Sequence, residues 1–412
     1  MLFLNSMKKL LILGATTSEI AVIERAKKKG IYTIVTDNNT DWSKSPAKYY
    51  ADEAWDISWS DIEQLHAKCL EAGVQGVLAG FSEFRVDNMI KLSGLLNLPC
   101  VLTDEQLGVT RDKRQFKDLC SAYGIPVVKE YELDDEVEFP VIIKPVDRAG
   151  SIGINVARNR EELTAFHKIA MDLSPSKNVV IEKFIRDGIK VDSYYYVKDS
   201  AISLLGISDT VMCTGTAGAP ILQKAWTFPC ESQDSYMKNL DPKVRKMISG
   251  IGIKDGYITM SAFYCDGEYY MFEAGFRLSG EHSYHYYNKL SGVNYIDDMI
   301  DFALQNERKS EFKEFLTFED RPLSTILNIF GLDGKIGTIL KPDVPEVDVI
   351  QEYYVKEGET VANSTDVFKK IAMMTIFAQD REQMAHSIRR VNDGLAITSE
   401  DGSDMIYERY YE

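Results

Sequence analysis

Residues 141–154, VIIKPVDRAGSIGI, decide how the rest of the chain is read. An aliphatic run ends in Lys144-Pro145, and Ala149, Gly150, Ser151 and Gly153 then crowd into a short stretch. Such a pattern fits a β-hairpin whose loop is rich in glycine. It also fits a phosphate grip, in which an ammonium fixed at a strand end is covered by a small-residue loop. Glycine and serine suit that loop because they let backbone N–H groups come close to phosphate oxygens. The surroundings have to separate the two readings.

Upstream, residues 8–100 alternate strand and helix. KKLLILGA reads as a strand, and TTSEIAVIERAKKKG reads as a helix with a capping box from Thr16 to Glu19, stopping at Gly30. YTIVTDN is the next strand, followed by a helix near 60–72, the strand GVLAG and a helix near 85–96. This is the signature of a doubly wound α/β layer. TRDKRQFKDLCSAY, 110–123, reads as one helix closed by Gly124 and a Pro126 turn.

From 127 short strands dominate, interrupted by helices near 160–171 and 241–250, which predicts α+β with a mostly antiparallel sheet. From about 320 STILNIF, GKIGTIL and VIQEYYV form a further strand group, with a helix at 380–392 behind it. The expected domains are therefore an N-terminal α/β domain over 1–105, a central domain over 106–318 and a C-terminal α+β part over 319–412. A lid subdomain covers about 127–190.

Bulk properties limit the function. At 412 residues the chain exceeds one ordinary core. A formal net charge of −16 argues against a general nucleic-acid binder, while leaving room for a small anionic ligand. Six scattered cysteines without a CxxC pair fit reduced thiols rather than a disulfide or zinc framework. The start MLFLNSMKKLLILGA is broken by Lys8-Lys9, and no apolar run reaches a membrane-spanning length of ~20 residues, so a cytoplasmic protein without membrane partners is expected. Met7 is an alternative start, with residues 1–6 an unstructured lead.

Three further stretches favour the phosphate grip. TRDKRQF carries Lys113 on the helix before the strand-rich region. NVVIEKFI, 178–185, is a strand running into Glu182, Lys183, Phe184 and Ile185, which can offer backbone groups and an apolar side chain to an adenine ring. YYMFEAGFRLSGEH, 269–282, delivers Phe272, Glu273 and Arg277 from one strand. Singly each has a plain structural reading: a solvated lysine, a strand leaving the core, and an ion pair between Glu273 and Arg277.

Taken in order, these motifs resemble the ATP-grasp superfamily, in the carbamoyl phosphate synthetase large-subunit and biotin carboxylase-like branch of carboxylate–amine ligases. The resemblance implies a preceding α/β (pre-ATP-grasp) domain, the ATP-grasp domain and a carboxylase-like C-terminal part. It implies ATP and Mg²⁺ as cofactors, with small-molecule carboxylate and amine substrates, and it leaves a homodimer open. Lys113 and Lys144 would contact ATP phosphates under a lid of Arg148, Gly150, Ser151 and Gly153. Glu182, Lys183, Phe184 and Ile185 would hold adenine above a floor made by Phe272. Glu273 would bind Mg²⁺, and Arg277 would stabilise the phosphorylated carboxylate, with Lys144 and Glu273 sharing the catalytic work. These roles suit phosphoryl transfer, which is mainly positioning and charge neutralisation.

The chain departs from the family pattern at three places. Ser261 stands where a second metal-binding Glu is common, Gly275 where an Asn is usual, and Lys190 where a Glu grips the ribose, with Asp192 near enough to substitute. Three readings stay open: an amide-forming ligase, a nucleotide-binding module with impaired catalysis, and a bicarbonate-using carboxylase.

Other candidates lie outside these motifs. LILGATTSEI lacks the GxGxxG of a dinucleotide site. GFSEF sits at a strand end, where open α/β sheets bind ligands, so Glu83 and Arg85 are candidates for the acceptor substrate. Gly280 and His282 are candidates for the same pocket. His282 and His285 have HxxH spacing, but a zinc site needs ligands the sequence does not reveal. SYHYYNKL is expected to pack as an amphipathic helix.

Overall fold

Leu10, Leu11, Ile12 and Leu13 are completely buried. A strand apolar on both faces belongs inside a parallel sheet covered by helices. The computed structural model, which describes residues 7–147, 153–185, 188–214, 222–318, 321–363 and 368–411, places it there. Strands β1 (Lys9–Leu13), β2 (Tyr32–Thr36), β3 (Glu53–Trp55) and β4 (Gly76–Leu78) form a parallel sheet of order β3-β2-β1-β4. Helix α1 (Glu19–Lys28) joins β1 to β2, α2 (Ile62–Ala72) joins β3 to β4, and α3 (Glu83–Leu96) follows β4.

Two local expectations are corrected. The Thr16 hydroxyl does not cap α1. Instead Thr16 donates its N–H and its hydroxyl to the Glu19 carboxylate, and the helix begins only at Glu19. The stretch 110–123 is not one helix. Helix α4 (Asp104–Arg111) ends before Asp112, whose carboxylate accepts from the N–H groups of Arg114 and Gln115 and so caps α5 (Lys113–Ala122).

A small antiparallel sheet follows, of order β5-β8-β6-β7, from β5 (Glu130–Tyr131), β6 (Val141–Pro145), β7 (Asn155–Ala157) and β8 (Val179–Lys183). Helix α6 (Arg160–Leu173) packs on it through Leu163 and Ala170, against Val141, Ile143 and Ile181.

The largest sheet is antiparallel and eight-stranded. Its first five strands along the chain are β9 (Ile189–Lys198), β10 (Ala201–Met212), β11 (Gln223–Phe228), β12 (Gly256–Cys265) and β13 (Glu268–Gly275), with α7 (Gln233–Asn239) and α8 (Asp241–Ile251) inserted before β12. Asp266 and Gly267, both at positive φ, make the two-residue turn that sets the β12–β13 register. Helices α9 (Tyr284–Ser291) and α10 (Tyr295–Ala303) come next, and α9 buries Tyr284, Tyr286 and Tyr287.

The last strands are β14 (Leu323–Phe330), β15 (Gly334–Leu340), β16 (Asp348–Tyr353), β17 (Thr360–Val361), β18 (Lys370–Ala378) and, after α11 (Arg381–Gly394), β19 (Ala396–Ser399). The eight-stranded order is β13-β12-β9-β10-β11-β14-β18-β16, so the central sheet runs unbroken into the C-terminal strands through the pairing Ala225↔Leu327. No helix among the described residues is long and apolar enough to cross a membrane.

Candidate functional site

Strand alternation sorts β6 into two faces. Val141, Ile143 and Pro145 are buried, while Lys144 stands on the opposite face with Glu182, which is opposite Ile142 on β8. Glu182 is 2% exposed and takes two ammonium groups, Lys117 Nζ at 2.5 Å and Lys144 Nζ. Burial pushes its carboxyl pKa up, but Lys144 and Lys117 outweigh burial and hold it below the usual range. Lys117 also reaches Glu130 at 2.5 Å. The sequence reading missed Lys117, although it lies one helical turn beyond Lys113 and shares its face of α5.

Lys113 donates to the Val146 carbonyl at 2.9 Å. Burial lowers its pKa, Glu273 and Glu182 pull it back up, and Lys144 pushes it down, so all four groups share one electrostatic neighbourhood. Gly153, at φ +76, could not carry a side chain, since a Cβ would lie 2.8 Å from Pro145 Cγ. The remaining lid candidates, Arg148, Gly150 and Ser151, lie outside the described residues.

Cross-strand register lines up Glu273, Ser261 and Asp192 on β13, β12 and β9. The Ser261 hydroxyl donates to Asp192 at 2.5 Å. Asp192 is 3% exposed and also accepts from Thr210 at 2.8 Å, Trp226 Nε1 at 3.3 Å and Lys190. Both carboxylate oxygens are thus engaged within the protein. Phe272 stacks on Phe263 with centroids 4.7 Å apart, and Lys144 Nζ sits 5.8 Å from the Phe272 ring centre. Lys183 is exposed and faces Glu138 at 3.4 Å, and the Phe184 N–H donates to the Pro140 carbonyl at 3.1 Å. Ile185 follows at the end of the same segment, half-buried.

A cavity of about 410 Å³ opens beside these groups, lined by Glu83 and Phe84 of α3, Lys113 and Phe116 of α5, Val146, Asp147 and the β13 segment Phe272–Ala274. Glu273 is exposed toward it. The pairing of Arg277 with Glu273 considered from sequence is replaced by another: Arg277 Nε lies 3.2 Å from Glu83 Oε2, and its Nη1 donates to the Leu278 carbonyl. Neither Nε nor Oε2 makes a well-aligned hydrogen bond. Burial raises the Glu83 pKa, Arg277 opposes the rise, and Glu273 adds to it. A Cβ at Gly275 would lie 3.3 Å from Glu83 Oε2, so the side chain missing at 275 leaves room for this carboxylate.

Arg85 does not join that group. It is buried and bonds Glu19 Oε1 at 2.8 Å, stacked so tightly on Gly14 that any Cβ there would lie 2.1 Å from its Cζ. The Gly280 carbonyl accepts from Lys370 Nζ at 3.0 Å. His282 is 1% exposed and contacts Glu352 on β16, a partner far away in sequence.

For Mg²⁺, the donors near the cavity are hard carboxylate oxygens, of which Glu273 and Asp147 are exposed, Asp147 already accepting from the Ser174 hydroxyl and the Ser176 N–H. Ser261 already gives its hydrogen to Asp192. This set fits a magnesium ion that draws most of its ligands from phosphate oxygens and water.

Residues 112–307 match the family described as carbamoyl-phosphate synthase L chain, ATP binding domain. The carbamoyl phosphate synthase large chain of Clostridium beijerinckii is 24% identical over 320 residues, covering 72% of this chain and 28% of that protein. The chain therefore spans less than a third of the length of this relative. The biotin carboxylase domain of Hydrogenobacter thermophilus 2-oxoglutarate carboxylase, solved as a dimer with MgADP, ADP and bicarbonate, superposes with a TM-score of 0.78 at 19% identity over 97% of this chain and 91% of that one. An L-amino acid ligase from Bacillus licheniformis gives 0.75 at 18% identity, over 95% and 98%. Residues 112–307 thus resemble the ATP-binding domain of carbamoyl-phosphate synthase large chains, and the chain shares its fold with the biotin carboxylase domain and the L-amino acid ligase.

Proposed function

We propose that the protein is an ATP-dependent ligase that activates a small carboxylate as an acyl phosphate and joins it to an amine, releasing ADP and phosphate. The observation that carries this reading is that Lys113, Glu273 and Glu83 line one cavity, with Lys144 close enough to Lys113 to shift its pKa and Arg277 paired to Glu83. Lys113 and Lys144 hold the nucleotide phosphates. Glu182 holds the Lys144 ammonium in place rather than touching adenine through its carboxylate, and the backbone of Lys183–Ile185 with Phe272 receives the base. Asp192 and Ser261 brace the sheet beneath the site. Glu273 anchors Mg²⁺, whose charge offsets that of the transferring phosphoryl group.

Arg277 then holds the acid and its phosphorylated form, because a guanidinium fork matches carboxylate and phosphate oxygens in pairs. Swinging toward substrate costs Arg277 no well-formed hydrogen bond from Nε. Glu83 is left beside the incoming amine, as a carboxylate of raised pKa suited to accept its proton. Phosphate is a far better leaving group than oxide, so the amine displaces it from the acyl carbon.

The reading divides the chain into an N-terminal domain over 1–105, an ATP-grasp domain over 106–318 with its lid near 127–190, and a C-terminal part over 319–412 whose strands extend the central sheet. The reading leaves a homodimer open, as in the dimer reported for the Hydrogenobacter thermophilus domain, and expects an ATP-containing cytoplasm as its compartment. ADP release measured against a panel of carboxylates and amines tests the function. ADP and amide formed in equal amounts, only when acid and amine are both present, is the expected result. ADP release that depends on bicarbonate alone would favour a carboxylase. Nucleotide binding without turnover would favour the catalytically impaired module that Ser261 and Gly275 suggest.

A further inference from the structure

The HxxH pair acquires a third partner in the fold. Glu352, on β16, reaches the loop before α9 and sets its carboxylate between two imidazoles. His282 Nδ1 lies 2.9 and 3.1 Å from its two oxygens, and His285 Nε2 lies 3.3 Å from Oε2. One potential ligand atom from each residue lies within 4.8 Å of the others.

Hydrogen bonding leaves this cluster incompletely satisfied. His285 Nε2 points at the carboxylate without the alignment of a hydrogen bond, and buried His282 Nε2 has no partner among the described residues. The Tyr284 and Tyr354 hydroxyls are likewise buried without hydrogen-bond partners there. Tyr284 packs against both histidine rings, at centroid distances of 5.2 and 4.4 Å. The opposing feature is Lys370, whose ammonium donates to the Gly280 carbonyl at 3.0 Å and lies 5.9 Å from the Tyr354 ring centre.

We propose that His282, His285 and Glu352 form a binding site for a divalent transition-metal ion of the zinc class, tying the loop before α9 to β16. Two imidazoles and a carboxylate suit zinc, with water in a fourth position, whereas Mg²⁺ prefers an all-oxygen shell. An ion held by His282 Nδ1, His285 Nε2 and a Glu352 oxygen would give His285 Nε2 the partner it lacks and balance the carboxylate. It would also clamp a C-terminal strand onto the segment that carries Arg277 and Gly280. The site stands apart from the nucleotide cavity and does not rest on the ligase reading.

The test uses the untagged 412-residue chain, stripped with a chelator and titrated calorimetrically with Zn²⁺ alone. One equivalent should bind and raise the melting temperature, and excess Mg²⁺ should not displace it. His285→Ala and Glu352→Gln should each weaken binding by about 10- to 100-fold. Because cysteines also bind zinc, and because Glu352→Gln is a buried change, Co²⁺ loading of the wild-type protein gives an independent reading. Visible d–d bands of a four-coordinate site, without a thiolate charge-transfer band, are expected. Absence of stoichiometric Zn²⁺ binding, unchanged affinity in the folded variants, or a thiolate band would each overturn the proposal.

Discussion

Two groups of charges lie near Lys113 and are built differently. Around Glu182, each charge has its partner: Lys117 and Lys144 share the carboxylate, and Lys117 also takes Glu130. Around Glu83, the ion pair with Arg277 is close but poorly aligned, and Glu273 next to it is exposed. Buried charges are tolerated when they are paired and hydrogen-bonded, and removing one partner is costly. The first group is therefore read as a scaffold that fixes a phosphate-facing lysine, and the second as machinery held ready for a substrate.

The largest expected break falls on the scaffold. Glu182→Gln leaves Lys117 and Lys144 side by side without their shared anion, and should destabilise the protein by about 3–5 kcal/mol in denaturant unfolding. Because the native carboxyl titrates below its unfolded value, its stabilisation is complete above the unfolded pKa and fades as pH falls. The wild-type advantage over the variant should accordingly shrink in acid. A neutral variant as stable as wild type at pH 7 would remove the distinction between the two groups.

Arg277→Lys should do the reverse. Stability should hardly change and ATP affinity should stay within about threefold, while turnover with the right acid and amine falls by about two orders of magnitude, close to 3 kcal/mol of transition-state stabilisation. A melting temperature that drops together with ATP affinity would place Arg277 in the scaffold.

A third acid extends the comparison. Among the described residues, Asp209 has no cation bonded to it. Burial is the main cause that pushes its pKa up to about 6, against a hydrogen bond from the Glu231 N–H. A raised carboxyl pKa means the native state binds the proton more tightly, so wild-type stability should decline as pH rises from about 4 to 6. Asp209→Asn should flatten that decline and stabilise the protein by about 1–3 kcal/mol at pH 7, in denaturant midpoints measured across this range. No gain at pH 7 would show that the Glu231 N–H and distant Arg381 compensate the buried charge.

Local signals made much of this legible. The buried run Leu10–Leu13, the Asp266-Gly267 turn and the alternation around Lys144 are all written in neighbouring residues, and they set strand type, register and facing. Asp112 was equally visible as a cap, but the charged run around it hid the break between α4 and α5. The pairings that define the site were not readable this way. Arg277 meets Glu83, His282 meets Glu352, and Arg85 turns to Glu19, each through contacts made only when distant strands and helices assemble. The Glu273–Arg277 pairing failed for the same reason: closeness along the chain lost to a carboxylate delivered by α3.

The central claim is that Lys144, held by Glu182, grips the phosphates of ATP, and titrating Lys144→Ala with Mg²⁺-ATP tests it most directly. With the ammonium gone, phosphate charge at the strand end loses its partner, and Lys113, bonded to the Val146 carbonyl, does not replace it. Binding should weaken by about 2–4 kcal/mol and ADP release should disappear, in a protein that still melts cooperatively. Unchanged affinity and unchanged turnover in that variant would contradict the claim and return residues 141–154 to an ordinary hairpin.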